Sequence, residues 1–368
     1  MMKQFDRRPN MNWAPSAFLL SLAISLNVFV DTTAEAQEAE SSKPAKLFSS
    51  EDSFDVTITA PWRDLQKDEK FQGAYPAQLT YTDESGTPVT LDITVERRGI
   101  KRQEACTFPP IRLRFDKEQV KGTMFRGQDA LKMVTHCERS SKYDQYYVLE
   151  MLSYRMYNLI TDYSFRVRPM QATYVDSDKD KTSDVRFAFL IEDDSDVAKR
   201  NGMKKIKVPQ ISPRKLDPVV NSEVALFQYM IGNVDWASLR GHDPEECCHN
   251  VKLIGPDPLG EDDLVIAVPY DFDSAGLVDA EYAAPPEGLR LKEVTQRLYR
   301  GYCMNNDTLE AAKQKFLTNE SAIMSLIETE DMLDDRTKRK AGKFLEEFFE
   351  RLKDPGDYEK YIIEKCRG

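Results

Sequence analysis

The first half of the chain carries its apolar residues in short alternating runs, and this pattern constrains the fold more than any other feature. Residues 54–59, 77–81, 90–95 and 111–115 alternate apolar with polar side chains. Successive strand side chains point to opposite faces, so each run can bury one face and solvate the other. Asp83-Glu-Ser-Gly86 is a turn signal between the second and third runs. These features predict an antiparallel sheet from about Phe48 to Thr135 with one face covered. The spacing then turns helical over 144–161, where Val148, Leu149, Leu152, Met156, Leu159 and Ile160 share a face and Asp144 is the expected N-cap. Arg155 projects close to that face and needs a partner, a function or a route to the rim. Strands are expected at 171–175 and 186–191, with a polar turn over 176–184. After Glu192 an apolar helix is expected at 222–231, short strands at 251–254 and 264–268, and helices beyond Glu293. Phe344, Leu345, Phe348, Phe349 and Leu352 form an apolar stripe there. The pattern describes an α+β chain, with a β-rich lobe holding one helix at 47–192 and a mostly helical lobe at 193–368.

One apolar stretch, 14–30, follows Lys3, Arg7 and Arg8 and precedes Ala34-Glu35-Ala36. Basic region, apolar core and small-x-small site form the order of a secretory signal, so 1–36 is expected to be removed. The alternative is an uncleaved anchor. Residues 37–46 read as a flexible leader. An exported, periplasmic or extracellular protein with no stable membrane insertion follows. The chain has 62 Asp and Glu against 51 Lys and Arg, a net charge of −11. A uniformly acidic surface repels phosphate backbones, so nucleic acid is not the expected partner. Six cysteines (Cys106, Cys137, Cys247, Cys248, Cys303 and Cys366) suggest disulfides in an exported chain. The expected bridges are Cys106–Cys137 and one of the vicinal Cys247 and Cys248 to Cys303. A bond between adjacent residues would strain the peptide joining them. A zinc reading competes through His136-Cys137 and Cys247-Cys248-His249, although the spacing fits no standard structural zinc motif.

The chemistry concentrates in three segments: Gly232-Asn-Val-Asp-Trp236, Cys247-Cys-His-Asn-Val-Lys-Leu253 and Val268-Pro-Tyr-Asp-Phe-Asp-Ser-Ala-Gly276. A helix ends before Asp235, Asn250 opens one short strand, and Asp271 closes the next. Two carboxylates and an amide thus meet at the ends of a hairpin. Oxygen ligands of this kind suit Mg2+, which keeps waters and substrate phosphates in its shell. A further carboxylate can orient a hydroxyl for attack on phosphorus. Each fragment alone also reads as a cap or turn.

Over roughly residues 97–282 the chain resembles the CotH-type atypical protein kinases, the spore coat protein H-like family. Arg98-Gly99, Phe108-Pro-Pro-Ile-Arg-Leu-Arg-Phe115, Leu131-Lys-Met-Val-Thr135, Leu152-Ser-Tyr-Arg-Met156 and Phe187-Ala-Phe-Leu-Ile-Glu-Asp193 look like successive elements of that family. Asn233-Val-Asp235, His249-Asn250 and Asp271-Phe-Asp273 match its most specific motifs. The resemblance implies a two-lobed protein-kinase-like fold and phosphoryl transfer from a nucleotide, with ATP and Mg2+ as cofactors, to a Ser/Thr hydroxyl of an exported protein. It implies Asp235 as the catalytic residue, Asp271, Asn250 and Asp273 as metal ligands, and Asn250 also at the nucleotide. Arg114 stands where the family commonly has a Lys, and Arg155 where its helix often has a Glu. Lys132 and Glu150 are the substitutes for the pair that positions the phosphates, with Glu150 placed off the apolar face. Fourteen residues, 236–249, separate Asp235 from Asn250, against about four in the ordinary kinase loop. No Walker motif, Gly-x-Gly-x-x-Gly or His-Glu-x-x-His occurs. Two other readings remain: a catalytically inactive binding or envelope assembly protein, and a metal-assisted phosphate-ester hydrolase on the same aspartates.

Overall fold

The computed structural model describes residues 43–68, 73–99, 106–179, 181–242, 245 and 247–368. The signal segment at 1–36 and all of the leader except its last residues lie outside them. The alternating runs form the strands β1 (Phe54–Ala60), β2 (Ala74–Thr82), β3 (Pro88–Arg97) and β4 (Ile111–Phe115), joined by β5 (Ala130–Val134), β6 (Val167–Asp176), β7 (Lys181–Thr182) and β8 (Arg186–Ile191). Asp83 makes the β2–β3 turn, its Oδ1 accepting from the Ser85 and Thr87 N–H groups at 2.9 Å each.

The strands do not form an open sheet. Their order is β1-β2-β3-β4-β5-β8-β6, and β1 returns to pair with β6, so seven strands close into a barrel. The closing pair is parallel, from Phe54↔Met170 to Ala60↔Asp176, while the other neighbours are antiparallel. Closure leaves no free edge in the ring, which is its physical advantage over an open sheet. Val56, Ile58, Leu79, Ile93, Leu113, Met133, Ala172 and Leu190 fill the interior, with Leu47 and Phe48 packed against them.

The expected two-lobed protein-kinase-like fold is therefore not what forms. The first part is a mixed, closed barrel rather than a β-rich lobe with one helix. It carries two helices, α1 (Trp62–Lys67) and α2 (Asp144–Asn158). The remaining helices are α3 (Asp194–Arg200), α4 (Pro218–Met230), α5 (Asn306–Thr318), α6 (Glu320–Glu328), α7 (Asp335–Lys353) and α8 (Pro355–Tyr361), eight in all among the described residues. A second sheet, β9 (Lys204–Lys205), β10 (Val251–Gly255) and β11 (Ile266–Pro269), runs in the order β11-β10-β9. Alternation dictates that each run is a strand. It is silent on whether the outermost strands find each other.

A second core lies outside the barrel. Phe187, Phe189 and Ile191 point out of β8 onto α2, whose other side packs on the C-terminal helices. This is why 187–191 is an unbroken apolar run: both of its faces are covered. It also explains α2, where ten residues are buried and no single apolar face exists. Glu150, expected off that face, is wholly buried. Asp144 opens the helix without capping it, and Arg155 reaches the rim, where it meets the Glu51 carboxylate at 3.6 Å. In α7, Leu345, Phe348, Phe349 and Leu352 of the expected stripe are buried, and Phe344 is partly buried. Helix does not begin at Glu293 but at Asn306, after a long irregular stretch.

The six cysteines lie in three pairs at disulfide distance. Cys106–Cys137 is the expected bridge. Cys303 pairs with Cys366 and not with the vicinal cysteines, which bond to each other. The cause is the C-terminus, which lies along 301–303: Cys303 N–H donates to the Arg367 carbonyl at 3.0 Å and Arg367 N–H to that of Gly301 at 2.8 Å. With their sulfurs paired, neither cysteine set offers a thiolate to zinc. No helix among the described residues is long and apolar enough to cross a membrane. The Cys303–Cys366 bridge closes a loop with a sequence separation of 63. Replacing both with Ala should destabilise the protein by about 4 kcal/mol on the chain-entropy model, measured by denaturant unfolding. Non-reducing peptide mapping should recover the 303–366 link; a 247–303 or 248–303 link would overturn it.

Candidate functional site

Three segments meet beside the barrel wall, and glycines let them do so. Helix α4 ends at Gly232, whose φ of 66° suits a residue without Cβ. Gly276 N–H donates to the Gly232 carbonyl at 3.2 Å, and Leu277 N–H to that of Ile231 at 2.9 Å. A Cβ on Gly276 would stand 2.8 Å from the Val294 carbonyl oxygen, and one on Gly232 would stand 2.9 Å from the Phe344 ring. Only glycine permits this approach, and it sets the turn carrying Asp235 against the loop carrying Asp271 and Asp273.

The β10–β11 hairpin adds the third segment. Tyr270 N–H donates to the Asn250 carbonyl at 3.0 Å, so Asn250 and Asp271 flank the hairpin's mouth. Both take left-handed backbone conformations, with φ of 52° and 64°. Asn and Asp tolerate this region better than most residues, and such conformations gather at functional sites. The Asn250 Nδ2 donates to the Asp235 carbonyl at 2.7 Å. The Asp235 carboxylate holds His249 Nε2 at 2.8 Å from Oδ1, and Asp235 N–H is tied to Asn233 Oδ1 at 2.9 Å. Arg300 braces this turn through the carbonyls of Val234 and Trp236, at 2.6 and 2.7 Å. Asp235 opens onto a cleft of about 810 Å³ lined also by Gln210, Arg240, His242, His249 and Arg300.

On the barrel side, Lys132 leaves β5 outward, between the inward Leu131 and Met133. Its ammonium lies 4.1 Å from the centroid of the Tyr270 ring, and that of Lys252 lies 5.7 Å from it. Burial pushes the Lys132 pKa down to about 7, helped by Arg98 and Lys252 and opposed by Asp194 and Asp271. From α2, Tyr154 accepts the Asp271 N–H on its hydroxyl at 2.8 Å. Burial, then the charges of Glu150 and Asp271, raise that phenol far above its ordinary value.

Of the residues singled out in the sequence, Asp235, Asn250, Asp271 and Lys132 come to one place. Glu150 lies behind them, one turn before Tyr154, and buried Asp273 follows Phe272 and accepts from the Ser274 hydroxyl at 3.2 Å. Arg114 does not join them. It is half-exposed on β4 and pairs with Glu96 at 2.6 Å; Arg112, two residues earlier, is the cross-strand neighbour of Lys132. Sequence reasoning passed over His249 as a partner of Asp235, and over Tyr154, Lys252 and Tyr270. A signal existed for Lys252, the lone charge in an apolar strand, and for Tyr154, four residues after Glu150 on the same helix.

Asn250 and Asp271 at the hairpin mouth are oxygen donors of the kind Mg2+ takes. With the Asn250 Nδ2 committed to the Asp235 carbonyl, its Oδ1 and the Asp271 carboxylate are the oxygens that could hold such a cation. No group of three His, Cys, Asp or Glu is gathered among the described residues, but Mg2+ commonly takes one or two carboxylates and completes its shell with waters and phosphates. The chain matches no protein-family model and no curated protein.

The depressed Lys132 pKa has a definite consequence for stability. Between about 7 and the unfolded value near 10.5 the unfolded chain binds the extra proton, so stability rises with pH through that window. Below it the folded state carries the buried charge at full cost. Lys132→Met should therefore be more stable than the parent at pH 6, by a few kcal/mol, with the gap closing towards pH 10. Urea unfolding across that range checks it; a gap that does not change with pH would refute the buried-ammonium assignment.

Proposed function

We propose that this protein is an exported, Mg2+-dependent phosphotransferase that moves a phosphoryl group from a nucleotide such as ATP to a hydroxyl of another exported protein. The reading keeps the CotH-type resemblance at the level of its motif residues and not of the fold. The observation that carries it is the convergence of the Lys132 ammonium with Asp271, Asn250 and Asp235 at one hairpin mouth. Lys132 and Lys252 flank Tyr270 as two cations for phosphate oxygens, and a bound phosphate would favour the charged form of Lys132. Asp271 and Asn250 would hold Mg2+, which when bound offsets the charge on the transferred group.

Asp235 also opens onto a cleft of a size to take an acceptor side chain. Its carboxylate would orient the attacking hydroxyl and take its proton, while His249 and the Asn233 turn hold it in place. The paired cysteines favour an oxidising compartment, in agreement with the signal-like N-terminus.

Thermal melting with Mg–ATP tests the binding half. Ligand at 100 times its Kd should add about 2.7 kcal/mol, and Asp271→Ala should abolish that gain without unfolding the protein. An unchanged gain in Asp271→Ala would overturn the metal assignment.

The catalytic half has its own test. Asp235→Asn should leave the melting gain in place while transfer falls about a hundredfold or more. If binding and transfer fall together, Asp235 is a ligand or a structural cap; binding without transfer in the parent would leave a non-catalytic nucleotide site.

A further inference from the structure

The chain is acidic overall, at −11, yet one groove beside the site is lined by lysines. Lys199, Lys204, Lys205 and Lys207 line a groove of about 990 Å³ with Ile206, Val208, Met203 and Leu259, and with Asp196 and Asp257 as its acidic members. Lys205 is already paired with Asp194 at 2.8 Å. Lys199, Lys204 and Lys207 are exposed and make no ion pair among the described residues. Asp196 is occupied too, accepting from the Gln128 side chain at 2.8 Å.

The groove runs along a sheet edge. In the order β11-β10-β9, β9 is outermost. Ile206 N–H turns inward to the Leu253 carbonyl at 2.9 Å, and the Val208 carbonyl accepts from Cys247 N–H at 2.8 Å. Peptide groups alternate sides along a strand, so those of Lys205 and Lys207 face away from β10. The same stretch leads onward: Pro209 and Gln210 line the cleft that contains Asp235. One extended segment laid along 204–210 would touch the lysine groove with one part and reach Asp235 with the next.

We propose that this edge binds an extended, acidic segment of a partner protein, which adds a strand beside β9 and presents its carboxylates to Lys199, Lys204 and Lys207. Strand addition gives affinity through the backbone, and the lysines select the charge. Resting on the phosphotransferase reading, the proposal further names the acceptor class: a hydroxyl flanked by Asp or Glu on the side that lies in the groove.

The test is direct binding, without nucleotide, of a labelled peptide of about ten residues in which adjacent Glu-Glu pairs, charged on both strand faces, alternate with Val and Thr around one Ser. It should bind at least about tenfold more tightly than the same peptide with Lys for Glu, and more weakly as salt rises. The double variant Lys204→Glu, Lys207→Glu, both exposed and checked by melting, should lose about tenfold or more. Methylating alternate peptide nitrogens should weaken binding in one register only. Equal binding of the acidic and basic peptides, no effect of charge reversal, no effect of methylation in either register, or tighter binding of a single-stranded oligonucleotide would each overturn the proposal. Edge lysines that only keep a strand from aggregating would give the first of these results. Acidic-peptide binding without transfer sinks the phosphotransferase reading alone, while transfer with no preference for acidic peptides sinks the groove alone.

Discussion

The parallel pairing of β1 with β6 is the constraint on which the rest of the molecule depends. Seven residue pairs join the strand that opens the described core to one more than a hundred residues later. Without them, β1 and β6 would present unpaired backbone edges and the interior from Val56 to Leu190 would be open on one side. Closure also fixes what faces outward. With β5 held between β4 and β8, Leu131 and Met133 go in and Lys132 goes out. With β8 held between β5 and β6, Phe187, Phe189 and Ile191 form the floor on which α2 lies.

The site is then assembled against that wall by loops, not by one element. The Gly232–Gly276 contact brings the end of α4 to the segment after β11, and the hairpin carries Asn250 and Asp271 to the same point. Two costs are visible there. An ammonium is buried with two other cations nearby, and two of the three non-glycine residues with positive φ among the described residues, Asn250 and Asp271, are here. Local rules are commonly broken where function gains from it, and both breaches fall on residues of one small region.

The second sheet connects this region to the surface. Its middle strand leads out of Asn250, its inner strand leads into Asp271, and its outer strand carries the lysines. A change at the outer edge therefore lies one strand away from the hairpin that would hold the cation. The vicinal cysteines sit between these parts, with Cys247 tied to Val208 and Cys248 adjoining His249.

Period and spacing by themselves determined that 54–59, 77–81, 90–95 and 111–115 are strands, that Asp83–Gly86 turns, that most of 144–161 and the stripe 344–352 lie in helices, and that Asp235, Asn250 and Asp271 sit at element ends. These are local properties, set by side chains within a few residues of one another. Cys106–Cys137 was legible too, because it links the approach to one strand with the exit of the next. Barrel closure was not legible, since pairing between β1 and β6 depends on contacts that no window of sequence contains. The burial of Glu150 was hidden for the same reason: an amphipathic reading assumes one covered face, and α2 is covered on both. Arg114 and Lys132 are both basic residues on barrel strands. Only the tertiary structure decided that Arg114 would pair with Glu96 in solvent while Lys132 would face Tyr270 and Asp271, because only the packing of the second half of the chain covers one position and leaves the other exposed.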